Sequence, residues 1–174
     1  VGSLEAACAV KKMIEAGRFH GTVRYYGCPA EESGAGKGFM VRAGVFHDVD
    51  ICLTWHPTDH NGVMQNALAN MRMFFEFHGI SAHAGAKPYM GRSALDAVEL
   101  TNVGCNYLRE HIIPEARLHY AVTNTGGTAP NIVQAYAEEI YCIRAPKLDQ
   151  LEEIFGRVCN VARGAALMTD TRLN

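Results

Sequence analysis

Asn70-Met-Arg-Met-Phe-Phe-Glu-Phe-His78 is the stretch that decides the fold. Met71, Met73, Phe75 and Phe77 alternate with Asn70, Arg72, Phe74, Glu76 and His78, the period-two pattern of a half-buried strand. Downstream, Ser93–Arg109 reads as a helix with Ala94, Ala97, Val98 and Leu108 on one side. Arg117–Asn124 alternates again and should bury Leu118, Tyr120 and Val122. After the turn Gly126-Gly-Thr-Ala-Pro130, Asn131–Arg144 reads as one long strand. Leu148, Leu151, Phe155, Val158 and Ala162 then mark an amphipathic helix. The order β-α-β-β-α is a split-βαβ (ferredoxin-like) sandwich short of its last strand, with the chain stopping where that strand should begin.

Upstream the pattern differs. Leu4, Ala7, Val10 and Ile14 predict a helix stopped by Gly17. Gly21–Tyr26 predicts a short strand ended by Gly27-Cys28-Pro29, and a helix around Phe39–Ala43 stops at Gly44. Asp50–Trp55 predicts a second strand running into His56-Pro57. Strands alternating with helices suggest a parallel α/β sheet, whose functional groups gather beyond the carboxyl ends of the strands. Glu31, Glu32 and His56 sit at such ends. The change of pattern near residue 67 divides the chain into 1–66 and 67–174.

The chain has 174 residues, 48% hydrophobic and 20% charged, with a net charge of -2. That is ordinary globular composition. It holds no Lys/Arg run and no apolar stretch near the ~20 residues of a membrane span, so neither nucleic acid nor membrane is an expected partner. The opening Val1-Gly-Ser-Leu-Glu5 lacks an initiator Met and a signal pattern, and reads as a piece of a longer chain. Six scattered cysteines predict reduced, mostly buried thiols in a cytoplasmic protein.

Four places could carry chemistry. Gly34-Ala-Gly-Lys-Gly38 is not a phosphate loop, because Glu31 stands where its first Gly belongs and Gly38 where its Ser/Thr belongs. The adjacent Glu31 and Glu32 point in different directions, so one could bind a metal while the other faces the attacking water. His56 follows the next strand and joins that pair as a candidate ligand; Asp59 and His60 read as solvent-facing, and His47-Asp48 as a helix-end turn. His83, in a Gly/Ala-rich loop before a helix, is either a turn residue or a donor to a developing oxyanion. Asn131 can point out of its turn. Arg144 either pairs a substrate carboxylate bidentately or makes a surface salt bridge.

Gly27-Cys-Pro-Ala-Glu-Glu32, Thr54-Trp-His-Pro57, Ser81-Ala-His-Ala-Gly85 with Gly91-Arg-Ser-Ala-Leu95, and Gly126-Gly-Thr-Ala-Pro-Asn131 together resemble the aminoacylase/carboxypeptidase family of dinuclear metallohydrolases, in its amidohydrolase branch. The resemblance implies part of a zinc-peptidase-like α/β catalytic domain in 1–66, and a lid or dimerisation domain in 67–174. It implies Glu31 as general base, and Glu32 and His56 as ligands of a two-ion zinc or manganese site. His83 would stabilise the tetrahedral intermediate in a partner subunit's site, and Asn131 and Arg144 would hold the substrate carboxylate. The implied substrate is a small N-acyl amino acid or dipeptide of the aminobenzoyl-glutamate kind, and the implied assembly a homodimer, paired through an exposed strand such as Met71–His78. The branch's upstream Cys-x-His or His-x-Asp element and its late His have no counterpart, His119 being the last His. The expected ligand set is therefore incomplete and the piece alone inactive; the alternative is a non-catalytic dimerisation or lid module.

Overall fold

The computed structural model describes residues 1–57, 59, 62, 63 and 67–174, and His60 lies outside them. Residue contacts divide the chain into two compact units, Val1–Gly62 and Val63–Asn174.

The second unit is built on β1 (Ala69–His78), whose inward residues Met73, Phe75 and Phe77 are buried. A two-residue strand, β2 (Ala82–His83), precedes α4 (Ala94–Leu108), which is numbered after the three helices of the first unit. Ser93 caps α4 by accepting from Asp96 N–H at 3.1 Å. Next come β3 (Arg117–Asn124), the short β4 (Ile132–Val133), β5 (Tyr136–Ala145), α5 (Leu148–Thr169) and β6 (Arg172–Leu173). The main sheet has the order β3-β5-β1-β6, with every neighbouring pair antiparallel. This is the split-βαβ arrangement. Phe77, Tyr141, Ile143, Val98, Leu151 and Val158 are fully buried between the sheet and its two helices. Burying each such side chain contributes about 1.5–3 kcal/mol. Where α4 meets α5, a Cβ on Gly104 would lie 2.5 Å from Val161, so only glycine permits that approach.

Three expectations need correction here. The last strand is begun rather than missing: Arg172 and Leu173 pair with His78 and Phe77, and Asn174 exchanges two backbone hydrogen bonds with Glu76. Met71–His78 gains a second neighbour only at its Glu76–His78 end, so residues 69–75 keep a free edge, as β3 does on the far side of the sheet. Tyr120 and Val122 stay 39% exposed for the same reason, having a neighbouring strand on one side only. The long strand from Asn131 is broken, because Gln134 and Ala135 turn their carbonyls to Ala94 N–H and Gly79 N–H instead of a ladder.

The first unit has α1 (Gly2–Glu15), α2 (Glu31–Gly34) and α3 (Gly36–Arg42). The expected strands 21–26 and 50–55 form no strand and have no ladder partner among the described residues, and Ile51, Leu53 and Trp55 are 77%, 89% and 65% exposed. Apolar alternation fits a segment for a sheet, but a strand also needs a neighbour to accept its hydrogen bonds. No described residue of this unit is buried. What order it has comes from local polar contacts: Arg24 donates to both carboxylate oxygens of Asp48 at 2.7 and 2.6 Å, and Tyr26 meets Phe46 edge-on. The six cysteines are free, but only Cys105 is buried; Cys8 and Cys52 are exposed because they lie in the unit without a core.

Candidate functional site

Glu31 and Glu32 open the short helix α2, which starts after Ala30 in the left-handed region (φ 52°) and ends at Ala35 in the same region (φ 49°). With a sharp turn at each end of so short a helix, both glutamates are left exposed. Glu31 lies 3.7 Å from Lys37 Nζ across the second turn. His56 Nδ1 lies 2.9 Å from the carbonyl of Pro57. A carbonyl can only accept, so Nδ1 carries the proton and Nε2 keeps its lone pair. That is one of the two arrangements in which a histidine can bind a metal, its second nitrogen donating to a carbonyl or carboxylate. Among the described residues no three His, Cys, Asp or Glu side chains gather as a ligand set.

His83 is set the opposite way. It lies in β2, paired with Ile132 of β4, and the carbonyl of Asn131 accepts from Ala84 N–H at 2.9 Å. Gly85 N–H donates to His83 Nδ1 at 3.2 Å. With Nδ1 accepting, the neutral ring carries its proton on Nε2, which is free to donate. The two-stranded ribbon rests on Gly91, where a Cβ would lie 2.8 Å from Val133. Arg92 anchors the same turn by donating from Nε to Asp170 at 2.7 Å. The Gly91-Arg-Ser-Ala-Leu95 motif thus caps α4 and holds the ribbon that carries His83 and Asn131.

The ribbon brings His83 and Asn131 side by side and leaves Arg144 far from both. Arg144 lies near the end of β5, eight residues from Tyr136, and the ribbon continues beyond the Tyr136 end. Eight strand residues span about 26 Å. One copy of this chain cannot place Asn131 and Arg144 on the same carboxylate.

Arg144 points from the sheet face opposite the helices. It is exposed, and among the described residues it makes no salt bridge, so the surface ion pair considered for it does not form. Arg117 and Asn70 stand beside it on the two neighbouring strands, and the next row holds His119, Cys142 and Arg72. A hollow of about 340 Å³ is lined by Leu68, Arg117, His119, Cys142 and Arg144. Sequence reading misses Arg72, Arg117 and His119, because only strand register reveals that they share a face with Arg144.

On the helix side, Glu139 is fully buried and neither carboxyl oxygen has a hydrogen-bond partner among the described residues. Burial pushes its carboxyl up to about 8, against an opposing effect of nearby Asn102. Asn102 instead accepts from Tyr141 Oη at 2.5 Å. Burial likewise pushes the Cys105 thiol up to about 11.

No family model matches the chain. It is 56% identical over 167 residues to one of the subunits of p-aminobenzoyl-glutamate hydrolase from Escherichia coli, an alignment covering 95% of this chain and 35% of that protein. The chain belongs to the amidohydrolase and peptidase family. It is also 35% identical over 143 residues to Xaa-Arg dipeptidase of Mus musculus, covering 82% of this chain and 33% of that one. Among solved structures, an aminobenzoyl-glutamate utilization protein from Klebsiella pneumoniae superposes with a TM-score of 0.53 at 28% identity, over 62% of this chain and 27% of that one. The chain spans about a third of the length of the curated relatives it matches. No helix among its described residues is long and apolar enough to cross a membrane.

Proposed function

We propose that this chain belongs to an amidohydrolase that cleaves the amide bond between an acyl group and a carboxylate-bearing amino acid, with aminobenzoyl-glutamate as the model substrate. The observation that carries the reading is the opposite setting of two histidines. His56, with Nδ1 donating to Pro57, has a lone pair on Nε2 available to a metal, and His83, with Nδ1 accepting from Gly85, has a proton on Nε2 available to an oxyanion. Carboxylate and imidazole donors fit zinc or manganese, and Glu32 with His56 Nε2 would hold part of a two-ion site. Such ions, when bound, lower the pKa of water and polarise a carbonyl. Glu31 takes the proton of the attacking water and returns it to the leaving amine. His83 Nε2–H donates to the oxygen that becomes negative. Arg144 pairs the substrate carboxylate in its own copy, and Asn131 serves with His83 in the other.

That division requires two copies, so the reading includes a homodimer. Residues 1–66 would be catalytic-domain sequence and 67–174 the lid and dimerisation domain. The partner surface is the free edge of β3 with Tyr120 and Val122, beside α4, whose Leu100, Val103 and Tyr107 form an exposed stripe at helical spacing. Arg109 ties the two elements by donating to the Leu118 carbonyl at 2.8 Å. Free thiols throughout fit a cytoplasmic setting.

A non-catalytic lid module is the second reading, favoured by the coreless first unit. Full-length protein separates the two. Glu31→Gln should keep metal content and lower turnover by about 100-fold or more. Glu32→Gln should lower metal content. Absence of metal and turnover in the unaltered full-length protein would favour the module.

A further inference from the structure

The open face of the sheet carries more positive charge than one carboxylate needs. Arg117 and Arg144 stand directly opposite each other on β3 and β5, and Arg72 lies one row away on β1. Like charges opposite each other on a sheet destabilise it, so the pair is unfavourable without an anion between. Among the described residues no carboxylate forms a salt bridge with any of the three. The acids of this face are at its other end and engaged locally. Glu138 accepts from Thr123 and from Tyr136 Oη, and Glu76 lies 3.8 Å from His78.

Arg117 is also held in place. Its Nη1 donates to the carbonyls of Pro114 at 2.6 Å and Ala116 at 2.7 Å. Its Nε and Nη2 have no partner among the described residues and are free to grip a carboxylate in the forked manner of a guanidinium. Paired residues on antiparallel strands lie about 4.5–5.5 Å apart at Cα. That spacing is comparable to the span between the two carboxyls of an extended glutamyl group.

We propose that Arg117, set against Arg144 on the open sheet face, is a specificity-determining residue that binds the second carboxylate of a dicarboxylic N-acyl amino acid. The assignment rests on the reading of Arg144 as the anchor of the first carboxylate. Arg72 and His119 add positive potential to the same hollow.

The test compares N-acetylglutamate with N-acetylglutamine, which differ by one charge and almost nothing in shape. Calorimetric titration of the full-length protein should show the dicarboxylate binding roughly tenfold to a hundredfold more tightly. Arg117→Gln should lower N-acetylglutamate affinity to that of N-acetylglutamine, with N-acetylglutamine binding unchanged as the sign that the fold is kept. Arg117→Lys should keep part of the preference, since charge survives and the fork does not. Arg144→Gln should weaken both ligands. No preference in the unaltered protein, or a preference that survives Arg117→Gln, or an equal loss for both ligands in that variant, would overturn the proposal. Discriminating binding without any hydrolysis of aminobenzoyl-glutamate would count against the amidohydrolase reading alone.

Discussion

Two halves of this chain carry similar apolar patterning and meet different ends. In Val63–Asn174 the apolar faces of β1, β5, α4 and α5 close on one another, and Phe77, Tyr141 and Ile143 lose all exposure. In Val1–Gly62 the segment Ile51-Cys-Leu-Thr-Trp55 is as apolar as any strand of the second unit, yet its side chains stay exposed. The difference lies in partners. The second unit contains both members of each ladder and helices to cover one face, whereas the described residues of the first form no ladder. Patterning specifies which face a strand would bury, and stability arrives only with something to bury it against.

The sharpest way to break that comparison is to truncate one apolar side chain in each unit. Phe77→Ala should destabilise Val63–Asn174 by about 3–5 kcal/mol, because the ring is fully enclosed and the cavity cannot collapse. Urea unfolding followed by tyrosine fluorescence would read it. A loss below about 1 kcal/mol would mean that the second unit has no fixed core.

A smaller effect concerns Glu139. Its carboxyl titrates at about 8 in the folded state and near 4.5 when unfolded. Between those values the folded chain holds a proton the unfolded chain has released, so stability falls as pH rises through the window and levels off above about 8. The slope is on the order of 1 kcal/mol per pH unit. Glu139→Gln should flatten that slope and raise the melting temperature at about pH 8 relative to the unaltered chain. An unchanged slope would show that Glu139 finds a partner or water in solution.

The smallest expected effect is at Leu53, 89% exposed. Leu53→Ser should change unfolding free energy by less than about 0.5 kcal/mol, as exposed substitutions do. A loss of about 2 kcal/mol or more would show that residues 50–55 are covered in solution.

Legibility follows the same division. The alternation of Met71, Met73, Phe75 and Phe77 and the helical spacing of Ala94, Ala97 and Val98 are enough to place β1 and α4, because period and element type are local properties. Register is not local. Alternation alone therefore leaves Arg117 unconnected with Arg144. Glu138 and Glu139 are adjacent and must point to opposite faces of β5, and only the packing shows that Glu139 is the one facing the helices. For the site, the motif residues supply identities without geometry. Both histidine tautomers depend on backbone groups, Pro57 C=O and Gly85 N–H, that no side-chain pattern announces. The separation of Asn131 from Arg144 depends on where β5 runs.

That separation makes the shared site the central claim, and mixing two variant copies tests it most directly. If the proposed reading holds, Glu31→Gln in the full-length protein would remove the base from its own copy, and His83→Ala the oxyanion donor that its copy lends to the partner. Each variant alone should be nearly inactive against aminobenzoyl-glutamate. Unfolded together and refolded as an equal mixture, they should form mixed dimers in which one of two sites is intact. About a quarter of unaltered activity should return, since half of the dimers are mixed. A mixture that stays as inactive as its two components would contradict the account, placing Glu31 and His83 of one copy in the same site.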